Sequence, residues 1–533
     1  MSRFFTLVKR ITGTVIAVVL VGLLVLLGCV NWPLPEAPGP ASTAPLLLDN
    51  VQIVDVATGQ IYPHQAVWID QGRISKITAS EAVAVNRSAA VHTERMADGR
   101  LKVHAGGRFL MPGLSDMHTH SLQLSPQLHH PLWVAAGVTA VRDLSGCMLQ
   151  PDSFQACTSD RKRWQQELIT GQRTSPNYWL HSSYQLNGGP EVPANYPAFF
   201  KLQSSADAQA LVTHYKVQGT DFIKVYEKLS LQQYQWLVAA AKEADLALAG
   251  HQPWLVPFSH MLDANQRSVE HGRVFIFECA DAIKAYKQQA LSRSFQPEQW
   301  RALLQSQNPE LCQKLMQQMA LFNTWWSPTL LTLQLGAKAG EPAFRQDQRL
   351  KFVPYLLQLL WQGDADGMLK NAYDSNGLNV HAELLQLAQQ QLKQAQQAGV
   401  KILAGTDTPD SFVFAGSGLH DELALYQQAG LTPLEAIQTA TINPAIFAGM
   451  AAETGSVTVG KRADLLLLNH NPLLDVASMR QPEAVVLAGF WYPKRSLQQL
   501  EAFAEEQANS IRLNLHLLWN ALMSAPVRQQ FAD

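Results

Sequence analysis

The chain has 533 residues, 47% hydrophobic content and a formal net charge of -2, from 41 Lys and Arg against 43 Asp and Glu. That is enough apolar material for a large core, and the balanced charge excludes the basic excess that draws a protein to nucleic acid.

Arg3, Lys9 and Arg10 precede an uncharged stretch that begins at Ile11 and meets its first acid at Glu36. A cleaved signal peptide carries an apolar region of ~7–15 residues, whereas a spanning helix needs ~20. Residues 1–32 are therefore expected to be a membrane anchor, with a signal segment as the alternative. The cations before the stretch orient the N-terminus to the cytoplasm and the body to the periplasm or cell exterior. A lipoprotein reading stays open, because Leu26-Leu27-Gly28-Cys29 is similar to a bacterial lipobox that would lipidate Cys29, although Leu27 fits it poorly. Of the five cysteines, Cys147 and Cys157 lie close together and Cys279 and Cys312 flank one segment. They are equally consistent with two bridges and with small buried hydrophobes.

Residues 33–45 hold Pro33, Pro35, Pro38, Pro40 and Pro45 and read as a stiff extended tether. From 46 to 109, short β-branched runs such as LLLDNVQIVDVATGQ and AVWIDQGRISKI predict strands. A matching set, GSVTVGKRADLLLLN and AVVLAGFWY, lies in 451–500, and the two are expected to complete one small β-sandwich. Between them, 110–450 alternates apolar strand-like runs with helical stretches, the α/β pattern of a parallel sheet. Strand ends are predicted near His118, Arg142, His181, Lys224, His251, His271, Pro328 and Asp407, which suits a (β/α)8 TIM-type barrel with its site at those ends. The segments from about Arg273 to Ala320 and Ala337 to Lys393 are rich in Gln, Leu and Ala, and are expected to form helical excursions over the barrel mouth; 501–533 is a C-terminal helical tail.

His118 and His120 close the run FLMPGLSDMHTH, and at i and i+2 in a strand both imidazoles face one point. Lys224 in DFIKVY, His251 in ALAGH, His271 in SVEHG and Asp407 in ILAGTD also end apolar runs in a potential cation ligand. A lysine among aliphatic neighbours is costly unless paired or chemically altered. Tyr226, two residues beyond Lys224, shares its inward face, and either contacts substrate or fills the barrel; His181 ends the third strand and is a second candidate pocket residue. His129, His130 and His260 have no such placement and read as solvated loop residues.

The ordered set His-x-His, Lys, His, His, Asp resembles the amidohydrolase superfamily, in its imidazolonepropionase-like and prolidase-like branch. PGLSDMHTH, GVTAVRDLSG, SVEHGR, ILAGTDTP and GKRADLLLL carry the resemblance across residues 46–500. It implies two divalent metal ions, with zinc the first expectation and manganese, iron or cobalt equally suited to the donors. His118, His120 and Asp407 would hold the buried ion, and His251 and His271 the exposed one. Lys224 would bridge both as a carbamate. It further implies hydrolysis of carbon–nitrogen bonds in a small-molecule substrate by a metal-bridging hydroxide, with Asp407 as general base and then general acid. Branch members often carry Gly-Gly-His where this chain has Gly188-Gly189-Pro190, which argues against dipeptides, Xaa-Pro above all, and makes a non-terminal or cyclic amide the leading expectation, with a dipeptidase as the alternative. The alternatives are a mononuclear deaminase or imidazolonepropionase-like hydrolase in which Lys224 stays unmodified, and a non-catalytic membrane-anchored metal-binding protein. Assembly into an oligomer is left open.

Overall fold

The computed structural model describes residues 14, 20–22, 28–189, 191–290 and 295–532. Most of the expected anchor, including 15–19 and 23–27, lies outside the described residues, as does Pro190. Among the described residues no helix is long and apolar enough to cross a membrane.

The first strands are β1 (Leu46–Val54), β2 (Ile61–Asp70), β3 (Arg73–Ala79), β4 (His92–Arg95), β5 (Leu101–His104) and β6 (Phe109–Pro112). The parallel strands follow: β7 (Leu114–Thr119), β8 (Val138–Asp143), β9 (Asn177–His181), β10 (Phe222–Val225), β11 (Ala247–Gly250), β12 (Ser268–Glu270) and β13 (Trp325–Ser327). The chain closes with β14 (Leu465–Leu468), β15 (Ala484–Leu487) and β16 (Phe490–Pro493). The seven parallel strands end within one residue of the first seven predicted positions.

The two β-rich ends meet by strand pairing. β14 runs antiparallel to β6, with Leu466 opposite Met111, so that a single nine-stranded sheet joins them. Leu48, Val51, Ile69, Ile74, Leu465 and Val486 pack together on that sheet. This differs from the expected pair of packed sheets: the partners of β14 lie beside it in the hydrogen-bonding direction.

β7–β8–β9 and β10–β11–β12–β13 form two parallel sheets. The bridge between Ser182 and Phe222 continues the first into the second, Trp326 pairs with Ile402, and Thr408 pairs back to Thr119 of β7. The sheet thus curls until its last segment returns to its first. Its strands read as unbroken apolar runs because helices cover them. Those helices have local stop and start signals: Ser230 and Gln233 form a capping box opening Leu231–Glu243, and Gly219 ends Ser205–Gln218 in the left-handed conformation.

The long inserted segments are helical as expected, with Arg273–Glu278, Pro297–Gln305 and Pro309–Leu321 in one and Tyr355–Lys370 and Val380–Gln397 in the other. Both cysteine pairs are bridged, Cys147 to Cys157 and Cys279 to Cys312, and Cys29 is free. The Pro-rich segment forms no helix or regular strand, and it is not a free spacer. Thr174 donates to Pro38 O at 2.7 Å, Arg173 pairs with Glu36, and Ser42 bridges to Trp491, so the segment lies along the body.

Candidate metal centre and cavity

Five of the six expected ligands form a chain of close contacts at the strand ends. Asp407 Oδ1 lies 3.2 Å from His118 Nε2 and 2.9 Å from His120 Nε2. The two Nε2 atoms are 3.3 Å apart. His271 Nδ1 is 3.7 Å from the other oxygen of Asp407, and its Nε2 is 3.0 Å from Nε2 of His251. The donor atoms of His118, His271 and Asp407 all lie within 4.8 Å of one another.

The backbone is bent to make this possible. His271 and Asp407 adopt φ of 73° and 71°, a region non-glycine residues rarely occupy and one that recurs at functional sites. Two residues before Asp407, a Cβ on Gly405 would approach Ser327 Oγ to 2.5 Å and His118 Cβ to 2.7 Å. Only glycine lets this segment lie against β7, from where the Asp407 amide donates to His118 O at 2.8 Å.

Lys224, the sixth, is buried beside them with Nζ 5.6 Å from the Tyr226 ring centre. Among the described residues no carboxylate lies within ion-pair distance of its amine. Burial lowers that amine to about 8, against the pull of Asp407, Glu270 and Asp143. Burial also brings His120 down to about 4, with the Lys224 charge adding to it. At Asp407, burial pushes the carboxyl upward, but His118 and His120 outweigh it and hold the group well below the ordinary carboxylate range.

A second layer orients the rings. Glu270 Oε2 is 3.0 Å from His118 Nδ1, and the same carboxylate accepts from Arg142 at 2.8 and 2.9 Å and from Ser268 Oγ at 2.5 Å. Glu227 Oε1 is 3.2 Å from His251 Nδ1, and Thr329 Oγ1 is 2.7 Å from His271 Nδ1. A carboxylate on Nδ1 puts the proton there, so that the neutral forms of His118 and His251 carry their lone pair on Nε2. The His118 lone pair then faces an Asp407 oxygen, and the His251 lone pair faces a third imidazole. Acceptors converging on one another repel, whereas a cation between them is attracted to all. Imidazole nitrogens and a carboxylate oxygen are donors suited to a divalent transition metal, so the residues fit such an ion.

Glu227, Glu270 and Thr329 were not singled out in the sequence, although Glu270 directly precedes His271 and Glu227 directly follows Tyr226. Tyr226 is placed as expected, its ring centre 4.2 Å from that of His251. His181 is not brought to the cluster: it ends β9, buried, with Nδ1 lacking a partner and its amide donating to Asp221 Oδ2 at 2.6 Å. His129 and His130 correct the expectation of solvated loop residues. Both are buried, His129 against Ser125 Oγ at 2.9 Å and His130 against the Tyr178 hydroxyl at 2.8 Å, because the helix His130–Ala135 packs inward. His260 is exposed, on the helix Phe258–Asp263.

A cavity of about 180 Å³ opens on the cluster, lined by Tyr226, His251, Trp254, His271, Arg273 and Asp407. It shares Trp254, Arg273 and Phe277 with a larger cavity of about 810 Å³ under the inserted helices, walled by Phe295, Trp300 and Met368.

The Amidohydrolase family description matches residues 368–491 of the chain. Ochratoxinase of Aspergillus niger is 33% identical over 134 residues, 24% of this chain and 25% of that protein. The match thus spans a quarter of the length of that curated relative. Among solved structures, bottromycin amidohydrolase superposes with a TM-score of 0.66 at 21% identity, covering 88% of this chain and 92% of that one. A Xaa-Pro dipeptidase with bound methionine gives 0.54 at 17% identity, covering 84% and 100%. A. niger ochratoxinase gives 0.51 at 17%, covering 84% and 96%. At these identities the superpositions describe a shared fold.

Proposed function

We propose that the chain is an amidohydrolase-superfamily protein of the prolidase-like branch and a metal-dependent hydrolase that cleaves amide carbon–nitrogen bonds in a small molecule. The observation that carries the reading is the convergence of His118, His120, His251, His271 and Asp407 at the floor of a cavity, each histidine except His120 braced through Nδ1. The curled parallel sheet is read as a (β/α)8 barrel, whose strand ends carry the site.

His118, His120 and Asp407 would hold one divalent ion, and His251 and His271 a second. Lys224 would join them as a carbamate: an amine brought down to about 8 keeps a neutral, nucleophilic fraction near pH 7 that can add carbon dioxide. Bound there, the ions would polarise the scissile carbonyl and make water a competent nucleophile near neutral pH. Asp407 takes the proton of the attacking water as the carbon–oxygen bond forms. It returns that proton to the departing nitrogen as the carbon–nitrogen bond breaks. Tyr226 stands at the cavity wall, where its hydroxyl can donate to the substrate, and the helices above shield the site from bulk water.

A second reading, hydrolysis at one ion, draws on the tight grouping of His118, His271 and Asp407, which takes two residues from one half of the expected pair and one from the other. Metal stoichiometry separates the two. Elemental analysis of purified protein, with activity screened on N-acyl amino acids, dipeptides and lactams before and after chelation, tests the whole reading; chelator-insensitive or absent amide cleavage would count against it. The body is further read as lying outside the cytoplasm and tethered to a membrane, a compartment in which the two disulfides persist.

A further inference from the structure

The helix Ile511–Met523 is apolar on two sides. Leu513 and Leu517 are buried in a cluster with Leu124, Leu128 and Ala508. On the outer side Ile511 is 80% exposed, Leu522 55%, Met523 53% and Leu518 43%. Ile511, Leu518 and Leu522 fall at i, i+7 and i+11, one stripe of a helix. Arg512 is the only formally charged residue along it. Scattered single apolar residues on a surface are ordinary, but a stripe of them is not.

The stripe continues onto a neighbour. Leu356 and Leu357, in the helix Tyr355–Lys370, pack on the Leu513 and Leu517 cluster, and the Leu356 amide donates to Asn514 Oδ1 at 3.4 Å. Leu359 and Leu360 follow Leu356 at i+3 and i+4, and both are exposed, as is Tyr355. The chain emerging from the apolar N-terminal stretch is seated at the same place. His516 Nε2 is 2.9 Å from Cys29 O, Arg512 donates to Pro33 O at 2.6 Å, and Leu34 packs into the same cluster. Between them Trp32 is 69% exposed, the residue type that favours the boundary between lipid and water.

We propose that this face, the outer side of 511–523 with Tyr355, Leu359, Leu360 and Trp32, rests in the interface of a phospholipid bilayer. The proposal depends on the reading of residues 1–32 as a membrane attachment. What commits the face to lipid is its neighbour: Cys29 and Pro33 lie against the flank of this helix, at His516 and Arg512, so a body attached through the residues before Gly28 would meet the bilayer beside this face. At 13 residues the helix is too short to span, and contact would run along its length. The docked face also orients the enzyme. Gly363, Asp364, Gly367 and Met368 of the same Tyr355–Lys370 helix line the larger cavity, about 5–12 Å along the axis from Leu360.

The full chain reconstituted into phosphatidylcholine vesicles that contain a diazirine-bearing phosphatidylcholine tests this. After irradiation, lipid adducts should map to peptides of 511–523 and 355–360 as well as to the N-terminal segment. The double variant Leu518→Glu with Leu522→Glu should lose the adducts on 511–523 while keeping those on the N-terminal segment and its melting temperature. Adducts confined to the N-terminal segment in the unmodified chain would overturn the docked face while leaving the attachment intact. A chain that fails to float with vesicles would overturn both. Protection of 511–523 from hydrogen exchange in a detergent-free dimer, without lipid adducts there, would assign the face to a second copy and overturn the proposal.

Discussion

Glu270 braces His118 from behind the cluster, its Oε2 3.0 Å from Nδ1 with both side chains fully shielded from solvent. The same carboxylate neutralises Arg142, which is equally buried and lies 2.8 Å away. One acid therefore orients the ring of a proposed metal ligand and compensates a charge inside the fold. Taking it away should be felt in both roles.

Glu270→Gln tests that pairing. The amide can still hydrogen-bond, but it leaves Arg142 without a counter-charge, and breaking a buried pair from one side costs about 3–5 kcal/mol. A denaturation midpoint in urea reads this loss. The weaker brace on His118 should also reduce metal affinity roughly 10–100-fold, measured by competition with a chelator. A variant with native stability and native affinity would show that neither role is exercised.

Buried histidines away from the cluster should make the fold sensitive to acid. Burial brings His129 and His420 down to about 4, whereas an unfolded chain holds histidine at ~6.5. Between those values the unfolded state binds more protons, so stability rises with pH there. The contribution is complete above about 6.5 and is lost as pH falls toward about 4. His129→Gln, which can still meet Ser125 Oγ, should reduce the slope of unfolding free energy against pH in that window, by at most about 1.4 kcal/mol per pH unit. An unchanged slope would mean that His129 titrates normally in the fold.

The residues pointing into the site were legible because strand geometry is local. His118 and His120 share a face by the period of two, and Lys224, His251 and His271 each end or directly follow a short apolar run that proved to be a parallel strand. What braces them was not legible. Glu270 sits next to His271 in the chain but supports His118, 152 positions away, a relation created only when the sheet curls. The same holds for the pairing of β14 with β6, which turned an expected sandwich into one sheet. His129 and His130 misled for the opposite reason. A polar residue at a helix start gives no sign of which way it faces until Tyr178 and Ser125 are found against it.

Lys224→Ala separates the bridging role from a structural one. The lysine is buried with no carboxylate within ion-pair distance among the described residues, so its removal relieves a desolvation cost and should leave stability close to native. Metal content and turnover should both fall. If metal content and turnover stayed native, Lys224 would be no ligand in either form. A stoichiometry falling from two ions to one would favour the bridge, and a single ion in both proteins would favour the one-metal reading.

Asp407→Asn should abolish turnover while leaving the fold and much of the metal content in place. The amide keeps the shape of the carboxylate and one oxygen to face the cluster, so His118 and His120 retain a neighbour at the 3.2 and 2.9 Å positions. The backbone is the harder constraint: φ of 71° at this residue is tolerated by asparagine at least as well as by aspartate, so the bend against β7 survives. What is lost is the ability to take a proton from the attacking water near neutral pH. A well-placed general base contributes about 10²–10⁴-fold, and the lost negative charge beside the metal ligands adds to the deficit. Steady-state turnover should therefore fall by at least about 10²-fold, with circular dichroism and melting unchanged and elemental analysis showing retained metal. Loss of metal in parallel with activity would assign Asp407 to binding alone. Near-native turnover in the variant would remove it from the chemistry, and the proton would have to be carried by another group at the cavity.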